Sequence, residues 1–151
     1  MTYSIKHISD EKDLLLLFPI LFSEAKDLGL NEDTLDREKM LENLYACFLR
    51  GVIFLGVKEE TQEICGILAL YPSTPWYSNE VKLNNLVYYV HQDHRKSPLG
   101  IALLREAKNY SIMKQLPLDI VVESVDDLDR KNKLFKLYGF SHTGGAYSFK
   151  P

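Results

Sequence analysis

The segment Leu86-Val-Tyr-Tyr-Val-His-Gln-Asp-His-Arg-Lys-Ser-Pro-Leu-Gly-Ile-Ala-Leu-Leu104 constrains this chain more than any other. Its first half is a β-branched and aromatic run that reads as a buried strand; its second half is an apolar helix, with a short basic loop between them. That order gathers several main-chain N–H groups, together with Arg95 and Lys96, at one helix N-terminus. The unpaired amides of a first helical turn and the helix dipole both favour negative charge, so the spot reads as an anion site for a phosphate-bearing ligand.

With 151 residues, 46% of them hydrophobic, the chain is long enough for one domain with a real core. A formal net charge of −3 gives no global basic field, so no nucleic-acid partner is expected. Acidic residues concentrate between positions 10 and 42, whereas Arg95 to Lys114 is locally basic, which suits an anionic ligand there. Cys47 sits in a helical pattern and Cys65 in a strand-like run; both read as buried, reduced thiols, consistent with a cytoplasmic protein. Residues 1–7 lack the apolar region of a signal peptide, and Leu14 to Phe22 is too short to span a bilayer, so no membrane partner is expected.

Alternation predicts a strand over Tyr3–Ile8. Asp10 caps a helix running to about Leu28, split or kinked by Pro19 and stopped by Gly29, and a second helix runs from Asp33 or Asp36 to Leu49, stopped by Gly51. Strands at 52–57 and 63–71 form a hairpin across Glu59-Glu-Thr-Gln62, and 72–83 is an aromatic loop. A strand at 84–91, a helix from about Pro98 to Lys114, a strand at 118–123, a helix from Asp126 to Leu137 and a final strand or bent pair at 140–149 complete the chain. The order βααβββαβαβ describes a single α/β (α+β) domain, 1–151, with a mixed sheet of six to seven strands and about four helices.

These residues resemble the GNAT superfamily of N-acetyltransferases. The family's strand ending near a Val, followed by Arg/Gln-x-x-Gly-x-Gly/Ala at a helix start, is matched by Val90 and then Arg95-Lys-Ser-Pro-Leu-Gly100. A helix closing on an aromatic and a Gly-Phe pair is matched by Leu134-Phe-Lys-Leu-Tyr-Gly-Phe140. The aromatic loop and compact His94-Arg-Lys-Ser turn look like bacteriophage-encoded members. The resemblance implies that acetyl-coenzyme A lies in a V-shaped gap between the strands at 84–91 and 118–124. Its pantetheine arm would pair with the backbone of Tyr88, Tyr89 and Val90. Its pyrophosphate would sit on the amides from Lys96 to Ala102, involving Lys96, Ser97, Leu99, Gly100, Ile101 and Ala102, with Arg95 or Lys96 screening its charge. Phe135 would pack on the sulfur end. Pro98 replaces the motif's first glycine and removes one amide donor.

Acyl transfer to an amine needs a proton acceptor, a stabilised oxyanion and a departing thiolate. The family's fourth-strand Glu base is replaced near that place by Asn84 and Asn85, and its Tyr acid by Phe135; Tyr138 is the candidate substitute acid. Glu123 is a candidate base or a solvated carboxylate, and His91 a base, water holder or phosphate contact, or a structural histidine. The main-chain amide of Val90 or His91 would polarise the thioester carbonyl. His91 and His94 have His-x-x-His spacing without a third ligand nearby in sequence, so no metal is expected. Tyr71, Trp76, Tyr77, Tyr88 and Tyr89 offer an acceptor pocket, about half of them being core by strand burial. Leu14 to Phe18 reads as core helix, with a homodimer face as the alternative. The resulting expectation is an acetyl-CoA-dependent N-acetyltransferase acting on an unidentified amine; the alternative is a degenerate domain binding coenzyme A or a protein partner without turnover.

Overall fold

The computed structural model describes residues 2–123 and 128–151, which form two compact units, Met1–Val121 and Val122–Pro151. The first unit is a five-stranded mixed sheet in the order β1 (Tyr3–His7), β2 (Val52–Lys58), β3 (Glu63–Ser73), β4 (Lys82–Val90), β5 (Leu118–Asp119). The first four strands run as an antiparallel meander. β5 returns parallel to β4 after the helix α3 (Leu99–Lys114), the kind of crossover that parallel neighbours require.

The N-terminal helical region divides where Pro19 falls. A 3-10 helix over Glu11–Leu17, capped by the Asp10 carboxylate on Lys12 N–H, passes into α1 (Phe18–Asp27) with the proline in its first turn. Gly29, at φ +72°, ends α1: Gly29 N–H bonds Lys26 C=O and Leu30 N–H bonds Ala25 C=O, the paired bonds of a Schellman cap. α2 (Arg37–Arg50) begins at Asp36, whose side chain accepts from Lys39 N–H at 3.0 Å. The Leu14–Phe18 run has two faces: Leu14 and Leu17 are buried, while Leu15 and Leu16 are each 60% exposed. A homodimer through this run would therefore rest on Leu15 and Leu16. Among the described residues no helix is long and apolar enough to cross a membrane.

Two apolar layers cover the sheet. One joins Leu14, Leu17, Ile20, Leu44 and Cys47 to Ile53, Ile67, Val87 and Tyr89; the other joins α3 through Leu99, Leu103 and Ala107 to Phe54, Leu68 and Leu70. Gly56 and Gly66 face each other across β2 and β3. A Cβ on Gly56 would stand 2.4 Å from a Leu99 methyl, and one on Gly66 3.1 Å from a Leu103 methyl. The missing side chains let the N-terminal half of α3 lie close on the sheet, which fixes the height of its first turn.

Three sequence expectations are corrected. The sheet has five strands among the described residues, not six to seven, and β5 extends over two residues rather than 118–123. Residues 140–149 form no strand: they carry the Gly144-Gly145 pair, and Tyr147 and Phe149 are exposed rather than alternating inward. In the second unit α4 spans Leu128–Leu137; the expected helix start at Asp126 lies outside the described residues.

Candidate active site

The last β4–β5 pair is Asn84 with Asp119, and beyond it the two strands part. Asn85 ends the ladder by acting as a peptide group: its Nδ2 donates to Val121 C=O at 2.9 Å, and its Oδ1 accepts from Val121 N–H at 2.7 Å. Leu86 follows as the extra residue of a β-bulge, because Leu70 pairs with Asn85 and Ala69 with Val87. The bulge bends β4 as the neighbouring strand leaves it.

His91 N–H donates to Cys65 C=O on β3 at 2.8 Å. By the alternation of an antiparallel strand, the main-chain groups of Val90 and Tyr88 then point away from β3, toward the parted edge. The His91 amide is thereby committed to the sheet, leaving Val90 N–H as the candidate for a thioester carbonyl. The Val90 carbonyl accepts from Arg95 Nε at 3.0 Å.

The turn into α3 sorts its own donors. Ser97 N–H bonds His94 C=O, Leu99 N–H bonds Ser97 Oγ, Ala102 N–H bonds Pro98 C=O, and Pro98 has no N–H. Between Lys96 and Ala102, the amides of Lys96, Gly100 and Ile101 are the ones without an internal acceptor among the described residues. Ser97 spends its hydroxyl on His94 C=O, and Leu99 is fully buried, so both shape the turn with their side chains. Ile101 and Ala102 are half-buried in the first turn.

Arg95 is exposed, yet its guanidinium is already partnered within the protein. Its Nη2 meets Asp27 Oδ2 at 2.8 Å, and its guanidinium lies 5.5 Å from the Tyr89 ring centroid. Tyr89 OH donates to the same Asp27 oxygen at 2.6 Å. Burial, then the Asp27 carboxylate, pushes the Tyr89 hydroxyl well above its ordinary pKa. On the other face Tyr88 OH donates to Gly100 C=O at 2.6 Å, and burial raises its hydroxyl likewise. Both tyrosines are therefore structural struts and poor proton donors near neutrality. Lys96, exposed, is the cation left at the turn.

His91 caps the 3-10 turn Gln92–His94: its Nδ1 accepts from Asp93 N–H at 3.2 Å and lies 3.6 Å from the Asp93 carboxylate. Asn84 Nδ2 donates to Ser73 Oγ at 2.6 Å. Trp76 and Tyr77 are exposed and stack edge-on with each other at 5.6 Å, whereas Tyr89 is core. An apolar groove of about 830 Å³ lies outside α1 and α2, between Leu15, Phe18, Phe22 and Leu41, with the Arg37 guanidinium 4.9 Å from the Phe22 ring centroid. Sequence reading missed two groups: Asn85 as the splaying residue and Asp27 as the partner of Arg95. Only the Asn84-Asn85 pair carried a local signal.

In the second unit, Gly139 at φ +86° closes α4: Gly139 N–H bonds Lys136 C=O, and Phe140 N–H bonds Phe135 C=O. The Phe135 and Phe140 rings meet edge-on at 5.3 Å, the apolar contact that accompanies such a cap. The Gly-Phe pair is thus a helix stop with its own staple. Tyr138 N–H bonds Leu134 C=O, and Glu123 is exposed.

Neither a family model nor a curated relative matches the sequence. Solved structures do. A probable acetyltransferase is similar at TM-score 0.70 and 20% identity, over 100% of this chain and 98% of the other. An aminoglycoside acetyltransferase from an uncultured soil metagenomic sample is similar at TM-score 0.71 and 14% identity, covering 100% and 99%. The ribosomal-protein-alanine N-acetyltransferase of Brucella melitensis biovar Abortus 2308 is similar at TM-score 0.68 and 16% identity, covering 99% of each chain. A GNAT family acetyltransferase from Staphylococcus aureus covers 100% of each at TM-score 0.61. The fold of this chain is that of the GNAT acetyltransferases.

Proposed function

We propose that this chain is an acyl-coenzyme A-dependent N-acyltransferase that moves an acetyl group from acetyl-CoA to a primary amine by direct attack in a ternary complex. The observation that carries the reading is the β4 edge, opened at Asn85 and running to the first turn of α3. A peptide-like pantetheine arm adds to such an edge as an extra strand, taking Val90 N–H as a donor. The diphosphate takes the amides of Lys96, Gly100 and Ile101, with the Lys96 ammonium beside it.

Gly100 supports this fit. A Cβ there would meet nothing nearer than 3.5 Å, and its backbone is not left-handed, so neither packing nor φ calls for glycine. Glycine in a helix costs about 1 kcal/mol relative to alanine. A ligand lying against the backbone accounts for that cost.

Bound acetyl-CoA supplies an activated acyl thioester. The protein orients it and holds protons. His91 Nε2 is the candidate acceptor or water holder beside β4; the other candidates from the sequence, Glu123 as base and Tyr138 as acid, belong to the second unit. By the resemblance, Phe135 replaces the family's phenol, a loss that a thiolate leaving group tolerates, its pKa being roughly 8.5. A primary amine as acceptor class draws on the named aminoglycoside and ribosomal-protein-alanine acetyltransferases.

A second reading, binding of coenzyme A or a protein partner without turnover, is favoured by Asn84, tied to Ser73 where the family places a base, and by Phe135. Incubation with acetyl-CoA and a mixed amine panel separates the two. Amine-dependent thiol release above hydrolysis is expected; saturable binding with no release supports the second reading. Gly100→Trp should abolish coenzyme A binding with the circular dichroism unchanged, and unaltered affinity would refute the site.

A further inference from the structure

A separate cluster lies where β1, β3 and the turn after β4 converge. Glu63 and Cys65 stand two residues apart at the start of β3, beside the bulge at Gly56 and Val57, and His94 closes the 3-10 turn. One ligand atom from each of the three lies within 4.8 Å of the other two. Cys65 and His94 are buried, whereas Glu63 reaches the surface. The Tyr3 hydroxyl shares a 2.7 Å hydrogen bond with His94 Nδ1, and the two rings meet edge-on.

We propose that Glu63, Cys65 and His94 form a zinc site, with water completing a tetrahedron on the exposed side. One thiolate, one imidazole and one carboxylate suit a borderline-soft cation, whereas magnesium and calcium select all-oxygen sets. With Nε2 as the ligand atom, Tyr3 holds the imidazole through Nδ1, the place that an orienting partner takes in metal-bound histidines. Zinc bond lengths of about 2.0–2.3 Å put ligand atoms roughly 3.3–3.6 Å apart, so atoms that lie within 4.8 Å of one another draw in by about 1 Å on binding. On binding, the Cys65 thiol becomes a thiolate and its proton passes to solvent. The His-x-x-His spacing pointed elsewhere, because His91 Nδ1 serves the Asp93 amide and it is the fold that brings Glu63 and Cys65 to His94. The site is independent of the acyl-transfer reading.

The purified full-length chain, stripped with chelator, is titrated with cobalt(II) and then with zinc(II). We expect one cobalt per chain, a thiolate-to-cobalt charge-transfer band, and loss of the band as zinc displaces cobalt. Cys65→Ser should remove the band and Cys47→Ser should leave it intact. Glu63→Gln, at the surface, should weaken affinity by more than about tenfold, since even outer-shell losses do as much. Absence of a stoichiometric band, or a band unchanged in Cys65→Ser, overturns the site. Should Cys65→Ser fail to fold, Glu63→Gln and His94→Gln decide, and unchanged affinity in both overturns it.

Discussion

Asn85 stands at the point where β5 leaves β4. Its carboxamide satisfies both main-chain groups of Val121, so β5 can leave β4 without orphaning a donor and an acceptor. Asn85→Leu removes both bonds, and we expect urea denaturation to show a loss of about 1–2 kcal/mol, since each such bond contributes roughly 1 kcal/mol net. An unchanged midpoint would contradict this role. Arg95 shows the same economy: its charge, expected to screen phosphate, is already matched by Asp27 and its Nε by Val90 C=O. The cysteines give a second check. Burial pushes the Cys47 thiol up to about 11 and raises Cys65 as well. At pH 8 the Cys47 thiolate fraction is on the order of one in a thousand, so the native chain should consume almost no thiol reagent, while the chain in urea consumes both equivalents. Rapid native labelling of either cysteine would contradict their burial.

At the scale of elements, the position of α3 depends on the Gly56–Gly66 pair more than on α3 itself. Gly56→Ala forces a methyl against Leu99, and we expect a loss of about 1–3 kcal/mol, the usual range for overpacking. Because Leu99 opens α3, coenzyme A affinity should fall in the same variant; full stability together with full affinity would contradict the packing account. Helix ends were legible because their chemistry is local: Asp10, Pro19, Gly29, Asp36 and Gly51 each stand where they were expected. Strand β5 was not legible beyond its start, since Ile120 to Glu123 reads as β-forming but pairing depends on what β4 offers, and Asn85 ends that offer. The segment 140–149 failed for the same reason, its apolar residues suggesting a strand that no ladder takes up.

For the molecule as a whole, the strand–loop–helix junction proposed as an anion site could be read from the sequence, because amide donors at a helix start follow from chain order alone. Which amides remain available was not, since Ser97, Leu99 and Ala102 spend theirs within the turn. Candidates for proton transfer were least legible: Glu123 and Tyr138, with Phe135 where the family carries its phenol, belong to the second unit. The account therefore stands on the β4 edge and the α3 turn. Residue-resolved amide hydrogen exchange with and without coenzyme A tests them most directly. Val90, Gly100 and Ile101 should gain protection on ligand addition, while His91, already bonded to Cys65, should not change. Unaltered exchange at Val90, Gly100 and Ile101 under saturating coenzyme A would contradict the account.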